Sequence, residues 1–281
     1  MSSKVFVSAL CCFLFSAYSL WGHDGHSAAP KVEVSESDKT PSSQWAGKRV
    51  GFLGDSMSDV KSNASEAFYW QYLEELLSID AHTFARSGYQ WNGVMKKAEE
   101  MRAALGDSID AIVIWAGTND FRNAAPIGQF YTEQYDSVNL DGRMVLRLHR
   151  TFVMNEHTFC GRINKVMSYL KEHYPEAQIV LMTPPHRGYA TFRATNVQPD
   201  ENYANALGLY LEEYVETLKQ AATLWAVPII DLHSISGLHP MTPSHARYFH
   251  HAETDLLHPN AYGHYRIART VQLQLLSLPV F

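Results

Sequence analysis

Residues 49–60, RVGFLGDSMSDV, decide the fold, because an apolar run ends there in Gly54, Asp55 and Ser56. A short apolar segment followed by glycine and polar groups is typical of a buried strand that leaves a sheet at its edge. A Gly-Asp-Ser sequence is also ordinary turn and helix-cap chemistry. Whether Ser56 starts a turn or attacks a substrate therefore depends on which other groups the chain brings to the same edge.

Short apolar runs recur along the chain, and longer helical patterns separate them. The predicted strands are residues 49–54, 80–85, 111–117, 177–185 and 227–232. Phe68, Tyr72 and Leu76 show the helical spacing of the intervening segments, since they lie four residues apart. Alternating strands and helices of this kind predict an α/β fold, in which helices cover both faces of a parallel sheet.

Residues 121–157 break this rhythm. Apolar and polar residues partly alternate there around Asn139, Asp141 and Gly142, which predicts a β-hairpin inserted after the third strand. Ligands of parallel α/β sheets bind beyond the carboxyl ends of the strands. We therefore expect the insertion to overhang the ligand-binding edge.

The first twenty residues differ in kind from the rest of the chain. Lys4 precedes the nearly unbroken apolar stretch VFVSALCCFLFSAYSLW, which predicts a secretory signal peptide over residues 1–19. Ala17 and Ser19 are small enough to suit a cut before Leu20. An uncleaved membrane anchor is the alternative, but the apolar run is shorter than the ~20 residues that a spanning helix needs. We expect a secreted or periplasmic protein without stable membrane insertion.

Residues 20–47 are rich in Ser, Pro and charge and lack periodicity, so they predict a flexible linker before a domain at residues 48–281. His23 and His26 could bind a metal ion, but we expect histidines on a mobile segment to be solvated. The leader holds two of the three cysteines, which leaves Cys160 without an intramolecular disulfide partner.

The composition excludes one class of function. Lys and Arg number 23 against 29 Asp and Glu, a formal net charge of −6, and no long basic run occurs. Proteins that bind nucleic acids usually carry such a basic run or patch, so this class of function is excluded. With 46% hydrophobic residues, the chain can instead bury a sizeable core.

Small and polar groups at the predicted strand ends fit the needs of nucleophilic catalysis. A serine hydroxyl attacks well only when a base takes its proton and a third group orients that base. Asp255 and His258, three residues apart in a predicted turn, could serve Ser56 in this way. The backbone amides of Ser56 and Gly88 and the side-chain amide of Asn119 could bind the oxyanion that acyl transfer develops.

Four sequence blocks carry a family resemblance. They are GDSMS at 54–58, Gly88 within ARSGYQ, GTND at 117–120 and DLLHPNAYGH at 255–264. In this order they resemble the SGNH hydrolases, also called GDSL esterases and lipases. Met57 departs from the family's usual leucine, and Ser56 lacks the G-x-S-x-G elbow of other serine hydrolases.

The resemblance implies a three-layer α/β/α sandwich around a parallel, flavodoxin-like five-stranded sheet. It implies Ser56 as nucleophile, His258 as base and Asp255 as the residue that orients the base. It implies an oxyanion hole from Ser56, Gly88 and Asn119. It also implies that neither a metal ion nor an organic cofactor takes part.

The predicted function is ester hydrolysis through an acyl-enzyme, acting on small acyl esters, with acetyl esters of carbohydrates favoured. No long apolar helix offers the lid that a true lipase would need. The predicted substrate-binding residues follow the strands: Tyr89, Trp91, Asp120, His186 and Arg187, with Phe121 and Tyr131 as further stacking faces. Two alternatives stay open, namely acyl transfer to a sugar and a catalytically silent carbohydrate-binding module.

Overall fold

The computed structural model describes residues 29–280, so the predicted signal peptide lies outside the described residues. A five-stranded parallel sheet in the order β2-β1-β3-β6-β9 forms the centre of the molecule. The strands are β1 Arg49–Gly54, β2 Asp80–Ala85, β3 Ala111–Trp115, β4 Tyr131–Leu140, β5 Arg143–Phe152, β6 Gln178–Met182, β7 Ala190–Arg193, β8 Asn196–Gln198, β9 Ile229–Ile230, β10 Phe249–His251 and β11 Asp255–Pro259.

Helices pack on both faces of this sheet. They are α1 Tyr69–Leu77, α2 Trp91–Leu105, α3 Thr118–Arg122, α4 Phe159–His173, α5 Leu211–Leu224, α6 Leu232–Ile235 and α7 Ala261–Leu275. Short 3-10 helices add Glu36–Asp38, Val60–Ser62 and Pro243–Tyr248. No helix within residues 29–280 is both long and apolar enough to cross a membrane.

Side chains of the central strand β3 alternate between two hydrophobic cores. Ile112 and Ile114 pack in the core that α2, α4 and α5 cover. Val113 and Trp115 point the other way, into the core under α1 and α7. Burial on both faces explains why β3 is apolar throughout. The predicted three-layer α/β/α sandwich is confirmed.

The strand register brings the carboxyl ends of β1, β2 and β3 to one level. Gly54, the last residue of β1, pairs with Ala85 on one side and Trp115 on the other. A side chain at Gly54 would meet the Trp115 carbonyl oxygen at 2.7 Å, so glycine is required for this close approach. The residues that follow each strand therefore emerge at the same sheet edge.

The insertion after β3 forms the predicted β-hairpin. Strands β4 and β5 pair without interruption from Tyr131 opposite Phe152 to Leu140 opposite Arg143. At the tip, the turn residues Asp141 and Gly142 have φ angles of 50° and 81°, as a two-residue hairpin turn demands. Most of its side chains are exposed, and its base is fixed where the Phe152 ring stacks on Trp225 at 4.5 Å.

A second sheet, which was not predicted from the sequence, is antiparallel and has the strand order β10-β11-β7-β8. In it, Asp255 pairs with both Ala190 and His251. Asp255 and His258 thus lie in strand β11 rather than in the predicted turn. A strand is a firmer support than a turn, since neighbouring strands on both sides fix its backbone.

The structure differs from the predicted flexible linker over residues 31–47, which are docked on the domain. The Trp45 side chain is fully buried, and its indole N–H donates to the Leu275 carbonyl at 2.7 Å. Earlier in the same segment, Asp38 accepts a hydrogen bond from the Tyr265 hydroxyl at 2.6 Å. Burial of a tryptophan and ordered hydrogen bonds stabilise this segment despite its polar composition.

Candidate active site

Ser56 lies in the first turn after β1, where the chain leaves the sheet edge. The backbone N–H groups of Ser58 and Asp59 both donate to the Asp55 carbonyl at 3.1 Å, which closes a tight turn around Ser56. The Ser56 residue is only 8% exposed. The orientation of its hydroxyl is therefore more restricted than that of a serine on the surface.

Asp255 and His258 form a rigid pair on β11. The His258 imidazole Nδ1 lies 2.9 Å from Asp255 Oδ2. The backbone N–H groups of Leu257 and His258 donate to the other oxygen, Oδ1, at 3.1 and 3.0 Å. Burial alone would raise the pKa of Asp255, but hydrogen bonds from His258 and these amides lower it below its usual value.

The same imidazole also reaches the serine, since His258 Nε2 lies 2.9 Å from Ser56 Oγ. An ionised carboxylate only accepts hydrogen bonds, so the Nδ1 proton points at Asp255. In neutral imidazole this leaves Nε2 as the acceptor for the Ser56 hydroxyl proton. The three predicted residues thus meet in the order carboxylate, imidazole, hydroxyl.

Two predicted oxyanion donors are available in the structure. Among residues 29–280, neither the Ser56 N–H nor the Gly88 N–H has a hydrogen-bond acceptor. Gly88 has a φ of 80°, a backbone conformation that glycine adopts without strain. The adjacent Ser87 is tied down, because its N–H and hydroxyl donate to Asp59 Oδ2 at 2.8 and 2.9 Å.

The third predicted donor, Asn119, is already engaged. Its side-chain amide donates to Asp55 Oδ2 at 3.0 Å and to the Tyr89 carbonyl at 3.1 Å. Those two bonds use both amide protons. Asn119 must therefore give up one of them before it can donate to an oxyanion.

Asp55 and Asp59 have roles in the site that were not predicted from the sequence. Asp55 is almost fully buried and accepts from the Met57 N–H as well as from Asn119. Burial raises the pKa of Asp55 to about 6, despite these hydrogen bonds and the nearby charge of His258. The signal for both residues was present in GDSMSD, where two carboxylates flank the serine four residues apart.

A cleft of about 380 Å³ opens above the serine, and we call it the Ser56 cleft. Its lining combines polar and apolar surface and comprises Ser56, Ser62, Ala64, Ser87, Gly88, Asn119, Phe192, Asn196, Gln198, His250, Asp255, Leu257 and His258. The antiparallel sheet supplies one wall through Phe192, Asn196, Gln198 and His250. None of these four was predicted, although two short runs around Thr195 and Asn196 fit a hairpin.

Three predicted substrate-binding residues are buried and serve the framework instead. Trp91 is 1% exposed and packs in the core. Asp120 is fully buried and forms an ion pair with Arg162 at 2.8 Å. Arg187 is also buried, and its guanidinium donates to Thr118 at 3.1 Å and Gln198 at 2.7 Å. None of the three lines the Ser56 cleft, so the structure corrects this part of the prediction.

The remaining predicted contact residues also lie outside the Ser56 cleft. Tyr89 packs on Gly93 and under the Arg86 guanidinium, which lies 5.3 Å from the ring centroid. The ring of His186 is hydrogen-bonded to Glu201, an interaction that raises the pKa of His186. Each side chain therefore has a partner that holds it away from the serine.

The hairpin insertion does not overhang the Ser56 cleft, because none of residues 131–152 lines it. The proposed stacking face Tyr131 instead packs against Phe152 at the base of the hairpin, with ring centroids 4.6 Å apart. Phe121, the other residue predicted as a stacking face, is buried in the core at 4% exposure. The overhanging wall comes from β7 and β8.

A family model matches the chain over residues 52–266, a span that contains all of these groups, and its description is GDSL-like Lipase/Acylhydrolase family. The protein belongs to this family. It is an ester hydrolase of the GDSL type, as its four sequence blocks predicted. No curated protein matches its sequence.

Solved structures share the fold of this GDSL hydrolase at low sequence identity. A Lactobacillus plantarum protein is 21% identical, with a TM-score of 0.62 over 82% of this chain and 97% of its own. A possible lipase from Chitinophaga pinensis is 19% identical, with a TM-score of 0.58 over 81% and 97%. A lipase/acylhydrolase from Enterococcus faecalis is 14% identical, with a TM-score of 0.51 over 82% and 95%.

The raised pKa of Asp55 predicts that this carboxylate lowers stability at neutral pH. Its pKa is about 6 when folded against 3.8 ordinarily. The unfolded chain therefore loses the proton first as pH rises, and wild type should lose on the order of 3 kcal/mol relative to Asp55→Asn between about pH 4 and pH 6. Above pH 6 the difference should stay constant. Urea unfolding of both proteins across this range measures it.

Asp141→Asn is the matched control, because Asp141 is exposed at the hairpin tip and asparagine tolerates its positive φ. Its stability should follow the wild-type pH profile. A wild-type to Asp55→Asn difference that does not change with pH would contradict the assignment of a raised pKa to Asp55.

Proposed function

We propose that the protein is a serine esterase that hydrolyses small acyl esters through a covalent acyl-enzyme. The observation that carries the proposal is the unbroken chain of hydrogen bonds from Asp255 through His258 to Ser56. It lies beside the two unpartnered amides of Ser56 and Gly88. A binding module would need none of these alignments, so hydrolysis is favoured over a catalytically silent carbohydrate-binding protein.

In the first half-reaction, Ser56 Oγ attacks the ester carbonyl carbon while His258 Nε2 takes the hydroxyl proton. Asp255 stabilises the resulting imidazolium, and its low pKa keeps it ionised for this purpose. The C–O bond to the alcohol then breaks, and His258 returns the proton to the leaving oxygen. The acyl group is left as an ester on Ser56.

In the second half-reaction, water replaces the alcohol. His258 takes a proton from water, the hydroxide attacks the acyl carbon, and the Ser56 oxygen leaves with that proton. Each tetrahedral intermediate places negative charge on the former carbonyl oxygen. The amides of Ser56 and Gly88 can donate to it directly, and Asn119 can join them by releasing the Tyr89 carbonyl.

We propose acetyl or other short acyl esters of carbohydrates as the substrate class. The Ser56 cleft offers side-chain amides and an imidazole at Asn196, Gln198 and His250, which suit the hydroxyl groups of a sugar. Phe192 is 42% exposed, and its ring centroid lies 5.4 Å from that of His258. An exposed aromatic face beside the base could stack on a sugar ring that carries the ester.

Ser56→Ala should lower kcat for 4-nitrophenyl acetate by about 10⁴-fold or more, because it removes the hydroxyl on which the acyl-enzyme forms. Asn119→Ala should lower it by roughly 10² to 10³, the usual cost of one oxyanion donor. Steady-state hydrolysis of 4-nitrophenyl acetate measures both effects. Ser62→Ala is the matched control, since Ser62 lines the same cleft without a part in the chemistry. Wild-type turnover by Ser56→Ala would refute the mechanism.

Phe192→Ala should raise KM for an acetylated oligosaccharide by roughly 2- to 10-fold, the range expected for loss of one ring contact. The kcat/KM for 4-nitrophenyl acetate, which has no sugar ring, should change far less. Phe192→Tyr retains the aromatic face and should behave like wild type. If Phe192→Ala left the oligosaccharide KM unchanged, stacking on Phe192 would be excluded while the esterase mechanism stood.

We also propose that the protein is exported, on the pattern of its first twenty residues. Its secreted or periplasmic form should then begin at Leu20, the residue after the small pair Ala17 and Ser19. N-terminal sequencing of the protein recovered outside the cytoplasm measures this. Recovery only of a membrane-bound chain that still begins at Met1 would favour the uncleaved anchor.

A further inference from the structure

Three potential metal ligands meet beside Arg187, and we call them the His186 cluster: His186, Glu201 and His233. His186 follows β6 after Pro184 and Pro185, whose fixed φ angles stiffen its approach. His233 lies in α6. The cluster therefore joins three separate segments of the chain.

The geometry of the His186 cluster suits one small cation. One ligand atom from each residue lies within 4.8 Å of the other two. A tetrahedral ion with bonds of about 2.0 to 2.1 Å needs its ligand atoms about 3.3 Å apart. Rotation of the three side chains would set this spacing, and metal coordination would replace the hydrogen bond between the His186 ring and Glu201. The imidazole rings of His186 and His233 already contact each other, with centroids 3.9 Å apart.

Within the described residues, one buried nitrogen of the His186 cluster has no hydrogen-bond partner, and a bound cation could be coordinated by it. His233 Nδ1 is buried, and within residues 29–280 it has no hydrogen-bond partner. Buried ring nitrogens are normally hydrogen-bonded, so an unbonded one is a candidate ligand atom for a metal ion. The backbone N–H of His233 donates to Thr183 at 3.0 Å and helps to hold the residue in place.

The carboxylate of the cluster is fixed and largely shielded from solvent. Glu201 is 5% exposed, and its Oε2 accepts the backbone N–H of Arg187 at 2.8 Å. Its Oε1 faces His186. A ligand oxygen that is itself oriented by a hydrogen bond matches the usual construction of metal sites.

We propose that His186, Glu201 and His233 bind one divalent transition-metal ion such as Zn²⁺, with the fourth coordination position open to water. Two imidazoles and one carboxylate are a donor set that Zn²⁺ favours over Mg²⁺ or Ca²⁺, which prefer oxygen ligands. None of the three side chains lines the Ser56 cleft, so the ion is structural. Through Glu201 it would brace Arg187, whose guanidinium holds Gln198 on the cleft wall.

The test uses the full chain with His23→Ala and His26→Ala, because those two histidines could bind metal independently. The protein is stripped with a chelator and titrated with Co²⁺ by visible absorption and with Zn²⁺ by calorimetry. We expect one ion per chain, visible bands typical of tetrahedral Co²⁺, and a higher melting temperature with Zn²⁺. These readouts do not depend on esterase activity.

Glu201→Gln and His233→Ala should each lower Zn²⁺ affinity by more than about 100-fold, since loss of a direct ligand costs more than loss of an outer contact. Glu201→Gln keeps a side-chain oxygen for the Arg187 N–H, so it tests ligation without removing that support. His149→Ala, on the exposed hairpin, is the control and should bind like the parent. Circular dichroism of each metal-free variant verifies folding.

Two outcomes would overturn the proposal. One is a stripped parent protein that binds neither Co²⁺ nor Zn²⁺, in which case the cluster is a His186–Glu201 ion pair with the His233 imidazole packed against it. The other is binding that persists at the parent affinity in both Glu201→Gln and His233→Ala. Neither outcome would contradict the esterase mechanism, which Ser56→Ala tests separately.

Discussion

The 2.9 Å contact between His258 Nε2 and Ser56 Oγ joins two parts of the chain that lie 202 residues apart in sequence. The rest of the structure serves to make this contact. The parallel sheet sets the position of Ser56, because Gly54 ends β1 level with its neighbours. The antiparallel sheet sets the position of His258 by pairing β11 with β7 and β10.

Buried carboxylates hold the groups around this contact, and their environments differ. Asp255 receives three hydrogen bonds and keeps a low pKa, so it can remain charged beside the imidazole. Asp55 and Asp120 are more deeply buried, and burial raises their pKa values to about 6 and about 7. Asp55 orients Asn119, whereas Asp120 pairs with Arg162. Burial of the Asp55 and Asp120 carboxylates therefore lowers the stability of the folded protein.

The features that could be predicted from the sequence are those set by a periodic pattern of apolar residues or by the requirements of a reaction mechanism. The five strands of the parallel sheet follow from their short apolar runs, and the hairpin follows from alternation around Asp141 and Gly142. Ser56, Asp255 and His258 could be predicted to meet because parallel strands end at one edge and because the serine needs a base and its partner. Those are constraints that a local pattern or a reaction mechanism imposes.

The sequence was uninformative where position depends on distant pairing. Strand β7 has four residues and strands β8 and β10 have three each, too few for a periodic pattern, so the wall that holds Phe192 and His250 was not predicted. Trp91 and Arg187 follow strands, yet their side chains turn into the core. Trp45 shows the reverse case, since a single buried tryptophan docks a segment whose composition is typical of a linker.

The central claim is that Ser56 is the nucleophile and that His258 activates it. Mass spectrometry after treatment with a fluorophosphonate tests this most directly, because the reagent bonds covalently only to an activated serine. We expect one label per chain, on Ser56, and its loss in His258→Ala. A label on Ser62 or Ser87, or full labelling of Ser56 without His258, would contradict it.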